Sequence, residues 1–474
     1  MEKLQDQVPA KRGDDAMNLA YEAIGSKEEF DRIFEEFDSE PLAAASLGQV
    51  HKAVLRKEVR HKNKANDDTE GKVAVKIQRA KLRDIYDQDL VVLNKLAGFI
   101  DKMGNDKGNV GGVSQSWVDI FKDAEAILYR EIDYRDEANN ARRFADDFGI
   151  DIGGKALESS SSKNTTKVAT SKDGAPLPSA ASWLRTPYVY TNLSTEKVLI
   201  MEFVPSIKIT SRAKLDEANV TFEEREYLSD MLARAYLRQF CCNLFFSTDP
   251  HPGNLGVEIL EPTASVSSSK SNRRVRLVFY DFGQAASLTE NQADGILDII
   301  EAIVDMDVDR SVEAFQTMGV LKPDADLDKV RAKVRDNYKT GKIKANQKKL
   351  KRQGYKSSRR KETSANHTST DNSNVTSNTT NLTSESTASK DSEVMKFFSL
   401  PAEYAFVARA LSQMDGVGRT LDPDFDFVSS AAPYIVEIKG TGKYLKEELT
   451  KRLNNFFEEL RKPFGIQTDS KKSY

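Results

Sequence analysis

Five polar side chains, spread over about two hundred positions, are of the types that handle a triphosphate. Lys76 lies in "KVAVKIQ", where Val73, Val75 and Ile77 alternate with Ala74, Lys76 and Gln78. That period of two predicts a strand with one apolar face. Glu137 lies in "YREIDYRDEANNARRF" together with Glu131 and Asp133, a stretch whose apolar spacing predicts a helix. Asp249 and Asn254 stand in "FFSTDPHPGNLGV", a loop stiffened by Pro250 and Pro252 and given a tight bend by Gly253. Asp281 closes the strand read in "RRVRLVFYDFG". Phosphoryl transfer needs this inventory. A Lys neutralises the phosphates, a helical Glu holds that Lys, an Asp orients the acceptor, and an Asn and a second Asp ligate Mg²⁺. Mg²⁺ takes a few oxygen ligands and keeps some of its waters, so this small set suffices.

Each piece alone has a plainer reading. A Lys on an amphipathic strand is usually solvated, and a helical Glu is usually at the surface. Asp-Pro-His-Pro-Gly-Asn is also a rigid turn. Asp-Phe-Gly arises by chance, and "DDFG" recurs at 146–149, at what reads as a helix end. Their joint order, each in the element its role requires, makes chance a poor account. Asp249 and Asn254 keep the Asp-x-x-x-x-Asn separation of a kinase catalytic loop. Yet "STD" replaces His-Arg-Asp, and no Ala-Pro-Glu follows Asp281 at the usual distance. In place of a glycine-rich loop stands "PLAAASLGQVHKA", with Ala43, Ala44, Ala45 and Ser46 where glycines would sit. Their side chains restrict the loop and change how closely backbone can approach a phosphate.

The surrounding pattern predicts helices over 14–40, strands at "AVLRKEV" and "KVAVKIQ", and helices over 79–100 and 116–148. A Ser/Gly/Lys-rich loop insertion covers 153–182, and "KVLIMEFV" reads as a buried strand stopped by Pro205. Helices are expected at 221–247 and again from about 290. Residues 339–392 change character: a basic stretch leads into a Ser/Thr/Asn-rich tract without apolar residues, expected to be disordered. The Asn-x-Ser/Thr triplets there are by-products of composition. The basic stretch reads foremost as a solvated helix tail, with contact to an anionic membrane as the second reading and nucleic acid as the third. Helical order should return at "VMKFFSLPAEYAFVARALSQM".

Composition sets outer limits. The chain has 474 residues, of which 39% are hydrophobic, enough for two domains or one large one with a real core. A net charge of -3 argues against a general nucleic-acid binder. The two cysteines, Cys241 and Cys242, are neighbours and imply no disulfide framework. No apolar run approaches the roughly 20 residues of a membrane span. "MEKLQDQVPAKRGDD" has no signal-peptide core and is too acidic for a transit peptide.

"AAASLGQVHKA", "VAVKIQ", "EIDYRDEANN", "DPHPGN" and "YDFG" together resemble the UbiB-type (aarF-domain or ADCK) atypical kinases, with "LQDQVP" and "LPAEYAFVARALSQMDGVGRTLDPDFDF" extending the likeness. The resemblance implies an α+β, protein-kinase-like bilobal fold. The small lobe, 1–204, has an antiparallel sheet and a long helix. The larger, mostly helical lobe takes 205–338 and 393–445, with a helix and tail at 446–474. It makes Lys76 the phosphate-contacting lysine, Glu137 its partner, Asp249 the catalytic-loop aspartate, and Asn254 and Asp281 the metal ligands. Glu131 and Asp133 become the family's Glu-x-Asp motif. Ala43, Ala44, Ala45, Ser46 and Val50, with Met201, Glu202 and Val204 as hinge, would meet ATP or ADP with Mg²⁺. The implied activity is Mg-dependent ATPase or phosphoryl transfer supporting prenylquinone (coenzyme Q or plastoquinone/tocopherol) metabolism. Peripheral contact with a membrane or a prenylquinone precursor, and a protein complex of quinone biosynthesis, come with it; nucleic acid does not. Similarity to plastid members favours chloroplast, at plastoglobule or thylakoid, over mitochondrion. A Lys-x-Gly-Gln helix is expected upstream of "LQD"; Met1 stands almost where it should end, so the chain is read as truncated. A nucleotide-binding scaffold and a true protein kinase are the alternatives.

Overall fold

The computed structural model describes residues 10–44, 47–62, 70–107, 117–157, 169–260, 274–340, 396–399, 401, 404–440, 442 and 444. The Ser/Thr/Asn-rich tract, the C-terminal helix expected at 446–474, and Ala45 and Ser46 lie outside them. Two compact units are present. One takes the chain to Met231 and again Phe245–Ala286; the other takes Leu232–Leu244 and everything from Ser287. The units therefore part elsewhere than at 204/205, and the loop of Asp249 and the strand of Asp281 belong to the first.

In that unit the strands are β1 (Phe34–Phe37), β2 (Ala43–Ala44), β3 (Gly48–Leu55), β4 (Lys72–Gln78), β5 (Leu184–Arg185), β6 (Val198–Glu202), β7 (Ile207–Lys208), β8 (Phe245–Ser247), β9 (Leu255–Ile259) and β10 (Val275–Phe279). Its longer helices before β5 are α1 (Asp14–Ile24), α2 (Lys27–Ile33), α3 (Leu82–Lys107), α4 (Trp117–Glu131) and α5 (Tyr134–Asp147). The first sheet runs β1-β3-β4-β6, all antiparallel, with β2 folded onto β3. The alternation in β4 decides its two faces. Val73, Val75 and Ile77 are fully buried in one core with Leu19, Phe30 and Phe34 from the preceding elements and with Val198 and Ile200 of β6. Each such side chain contributes about 1.5–3 kcal/mol of burial. Lys76 pairs with Val50 and Leu199, and Ala74 with Met201, so these residues share the opposite face.

Several sequence expectations shift. Helix ends at Ile33, and Phe34–Phe37 becomes a strand. The strand expected over "AVLRKEV" stops at Leu55, and Lys57–Lys62 is helical. The helix read over 116–148 is two helices, broken where Asp133 caps the second by accepting the Arg135 N–H. The helix expected over 221–247 runs as α6 (Phe222–Arg238) and continues as a π-helical turn to Asn243; only its last residues differ, where β8 begins at Phe245. Asp146 and Asp147 of "DDFG" close α5, with Phe148 as its cap and Gly149 at a left-handed φ of 63° beyond it, a helix stop with no part in the site.

Gly48 shows how closely β3 packs. A Cβ there would stand 2.5 Å from the Ile77 carbonyl oxygen and 2.5 Å from the Tyr134 hydroxyl. Gly48→Ala should cost about 1–3 kcal/mol through overpacking, and denaturant unfolding would register it; an unchanged midpoint would contradict this packing.

The second sheet of this unit runs β5-β10-β9-β7. Every residue of β10 is buried. Arg276, within it, donates to the carbonyls of Gly154 and Ala181 at 2.9 Å each, which ties the described parts of the 153–182 segment to the sheet.

In the other unit, α7 (Glu290–Val304) carries Glu301, which pairs with Arg310 and with Lys439 of α10 (Ile435–Lys439). Between them in the chain lie α8 (Val308–Thr317), a helix over 327–340, and α9 (Ala405–Leu421). Helix therefore runs through 340, and the later helix starts at Ala405, not at "VMKFF", where Phe398 instead bridges Leu321. Fully buried Arg238 lies 3.3 Å from Glu437, a buried charge beside its counter-charge.

Candidate nucleotide site

Strand register, helix phase and one loop assemble the site within the first unit. Lys76 leaves the face of β4 opposite the apolar core. Its Nζ donates to Glu137 Oε1 at 2.9 Å and Oε2 at 2.8 Å, and to Asp281 Oδ2 at 3.2 Å. Glu137 is supplied by the first turn of α5. Asp281 follows β10, which pairs antiparallel with β9 so that Phe279 faces Leu255. One step beyond that ladder the Tyr280 N–H donates to the Asn254 carbonyl at 3.0 Å, which sets Asn254 beside the Tyr280–Asp281 step.

The loop before β9 is held by its own hydrogen bonds. Asn254 Nδ2 donates to the Asp249 carbonyl at 3.1 Å, and the Asn254 N–H to the His251 carbonyl at 2.8 Å. Gly253 is not in the left-handed region; it sits in a short 3-10 turn, where its N–H donates to His251 Nδ1 at 3.1 Å. The tight bend expected there is a close approach: a Cβ on Gly253 would lie 3.0 Å from that nitrogen. The Thr248 N–H donates to the Gln284 carbonyl at 3.0 Å, tying the loop to the residue after Asp281-Phe282-Gly283.

Of the remaining expected residues, Ala43 and Ala44 form a hairpin with Val50 and Gln49 of β3. Met201 shares the Lys76 face of the sheet. The Glu202 side chain is committed to a buried pair with Arg185 and to the Tyr188 N–H, and its own N–H donates to the Tyr188 carbonyl at 2.8 Å, so neither its side chain nor its N–H is left for a hinge. Val204 is buried just beyond β6. The two acids of Glu-x-Asp part ways: Glu131 Oε1 accepts from Gln284 Nε2 at 2.7 Å, while Asp133 caps α5 and pairs with Arg135.

Three contributors were not read from the sequence. The Tyr134 ring lies under Lys76, with Nζ 5.0 Å from its centroid. Asn140 Nδ2 donates to the Phe282 carbonyl at 3.0 Å. Gln284 reaches Glu131. Tyr134 and Asn140 stand three residues either side of Glu137, on its helix face, and that spacing was the available signal.

The electrostatics follow from burial. Burial pushes the Glu137 carboxyl up to about 7; the charge of Asp281 adds to this and Lys76 opposes it. Burial alone would depress the Lys76 ammonium, but Asp281 and Glu137 outweigh it and hold it above its ordinary value. Asp281 is also desolvated, yet Lys76 and the Gly283 N–H hold it below the usual carboxylate range. Glu137 thus binds its proton more tightly folded than unfolded. Its contribution to stability is full below about 4.5 and is lost as pH rises through about 7. We expect about 2–3 kcal/mol of unfolding free energy to disappear between pH 5 and pH 8 from this group. Denaturant titrations of wild type and Glu137→Gln across that range check it, since the variant should lack this component.

The candidate metal donors are oxygens: the Asp281 carboxylate beside Lys76, and the side-chain amide oxygen of Asn254, whose main chain is hydrogen-bonded to the residue before Asp281. That chemistry fits Mg²⁺, which accepts few protein oxygens and completes its shell with water and phosphate. Among the described residues no group of three or more His, Cys, Asp or Glu side chains could hold a metal by itself.

A lysine bridging a helical glutamate and the aspartate of Asp-Phe-Gly, beside an Asp-x-x-x-x-Asn loop, defines a kinase-like nucleotide site with an alanine-rich loop in place of glycines. The chain belongs to the ABC1/aarF atypical kinase family: the ABC1 atypical kinase-like domain matches residues 3–153 and 157–315. It is 31% identical over 446 residues to Protein ACTIVITY OF BC1 COMPLEX KINASE 8, chloroplastic, of Arabidopsis thaliana, covering 92% of this chain and 49% of that one. It is 28% identical to Protein ACTIVITY OF BC1 COMPLEX KINASE 7, chloroplastic, of the same plant, over 98% of this chain and 54% of that one. The chain spans about half the length of these curated relatives. Among solved structures, the Rv3197-erythromycin complex from Mycobacterium tuberculosis matches with a TM-score of 0.53 and 18% identity, over 93% of this chain and 86% of that one. That likeness speaks for the fold alone. The family read from the motifs and the α+β kinase-like fold class are thereby borne out.

Proposed function

We propose that this chain is an atypical kinase-like, Mg-dependent ATPase or phosphotransferase supporting prenylquinone lipid metabolism in plastids. One observation carries the chemical part: Lys76 Nζ stands within hydrogen-bond distance of both Glu137 and Asp281, although these residues are separated by 61 and 205 positions. A lysine so held presents a fixed cation to nucleotide phosphates, with no reorganisation left for the moment of reaction. Asp281 and Asn254 are the residues that would hold Mg²⁺. Bound there with ATP, the ion would offset the phosphate charge that Lys76 alone cannot. Asp249 would orient the acceptor hydroxyl or water, Val50 and the Ala-rich hairpin would cover the nucleotide, and the backbone from Met201 to Val204 would meet the base.

The prenylquinone setting rests on the family resemblance. Relatives named chloroplastic support a plastid, and plastoglobule or thylakoid is the finer reading. Among the described residues no helix is long and apolar enough to cross a membrane. A peripheral lipid contact is supported by Ile85, Val92, Leu96 and Phe99, which stand exposed along one stripe of α3. Assembly with proteins of quinone biosynthesis remains part of the same reading.

Phosphate release under saturating Mg-ATP tests the chemistry. Binding without release would favour the nucleotide-binding scaffold, and label transfer to a foreign protein would favour a true protein kinase. Stimulation of release by vesicles carrying a prenylquinone precursor is the expected sign of the lipid setting; equal rates with and without them would remove it.

A further inference from the structure

The segment Asp281-Phe282-Gly283-Gln284 meets the α4–α5 region through three residues, one of them by way of Lys76. Glu131 takes the Gln284 side chain, and Lys76 links Glu137 to Asp281. Asn140 takes the Phe282 carbonyl at 3.0 Å, and the Phe144 ring packs on the Phe282 ring with centroids 4.5 Å apart. Phe282 is 1% exposed. Inside the segment, the Gly283 N–H returns to Asp281 Oδ1 at 2.9 Å. That leaves Oδ2 on Lys76. Asp281 therefore has its side-chain direction fixed from one side, and its main chain is fixed by Asn140 just beyond it and by Gln284 two residues further on.

We propose that Asn140 and Gln284 are positioning residues. Together they clamp the main chain on the C-terminal side of Asp281 and hold its carboxylate toward Lys76 before any ligand arrives. Neither side chain touches the carboxylate. Each acts through the backbone or through Glu131. The inference rests on the phosphoryl-transfer reading for what Asp281 does, but not for the clamp itself.

Hydrogen exchange of the full chain without nucleotide reads the clamp directly. Asn140→Ala and the isosteric Asn140→Asp remove the donor, and Gln284→Ala removes the other tie. Each should speed exchange of the 280–286 amides about tenfold, the effect of one net hydrogen bond. Amides of α5 should keep their protection. Unchanged exchange at 280–286 in both Asn140→Ala and Gln284→Ala would overturn the proposal, as would equal acceleration throughout α5, which would mark the residues as merely structural. A second measurement uses a fluorescent ATP analogue in EDTA and in Mg²⁺. Asn140→Ala should leave metal-free binding within about twofold and lose about tenfold of the Mg²⁺-dependent gain; equal losses in both media count against it. A wild-type chain that binds no nucleotide would end the phosphoryl-transfer reading, while the exchange result would still decide the clamp.

Discussion

Asp281→Asn should reduce Mg-ATP turnover by at least about a thousandfold while the fold survives. The substitution keeps an oxygen for the Gly283 N–H, so the local turn persists. It replaces the oxygen facing Lys76 by an N–H donor aimed at an ammonium 3.2 Å away, and it removes the negative charge that Asp281 would offer the metal. A thousandfold is about 4 kcal/mol of transition-state stabilisation, within the range for losing a preorganised electrostatic partner. The backbone does not depend on this carboxylate. β10 is paired on both sides, Phe282 is packed against Phe144, and Asn140 holds the carbonyl that follows. The unfolding midpoint should therefore stay within a few degrees. Relief of Glu137 is a further signature: with the neighbouring charge gone, its carboxyl should titrate nearer its ordinary value. Phosphate release and a thermal scan on the same preparation decide the matter, and turnover like that of wild type would defeat the assignment of Asp281.

The site was legible where chemistry and period agree. Alternation in "KVAVKIQ" gave both the strand and the side from which Lys76 leaves it, because a period-two pattern carries face information. Elsewhere period misled. Phe30, Ile33, Phe34 and Phe37 keep the three-and-four spacing of a helix, yet the chain turns to strand at Phe34. Pairing with β3 lets Phe34 join the same aromatic cluster as Phe30 from an extended backbone, and tertiary contact overrides local pattern. The break at Ile132–Asp133 had a local sign, a capping Asp with a second acid three residues on, masked by the apolar spacing that continues through it. Asn140 had only its three-residue spacing from Glu137 as a sign, and Gln284 had none, since each finds its partner more than 140 positions away and only the packed fold brings the ends together.

Lys76→Met should injure the protein in two separable ways. Turnover should fall at least about a hundredfold, since the cation that meets the phosphates is gone. Stability should fall too, and by an amount that depends on pH. The Glu137 side chain is 6% exposed and Asp281 stands beside it. Without the ammonium, a buried Glu137 carboxylate faces an Asp281 carboxylate that is 34% exposed, so the cost should fall at or below the about 3–5 kcal/mol typical of breaking a fully buried pair. The sign with pH follows from Glu137. Its carboxyl already sits at about 7 with Lys76 present, and Lys76 is the influence holding it down. Removing that influence pushes it higher, so at pH 5 the group is protonated and the repulsion is switched off, whereas at pH 8 folding must either carry both charges or take up a proton from a dilute solution. The loss relative to wild type should accordingly be smaller at pH 5, where only Asp281 has lost its counter-charge, and largest near pH 8. Denaturant unfolding at the two pH values measures it. An equal loss at both would mean that Lys76 stabilises by packing over Tyr134 and not by charge, and the electrostatic account of the site would fail with it.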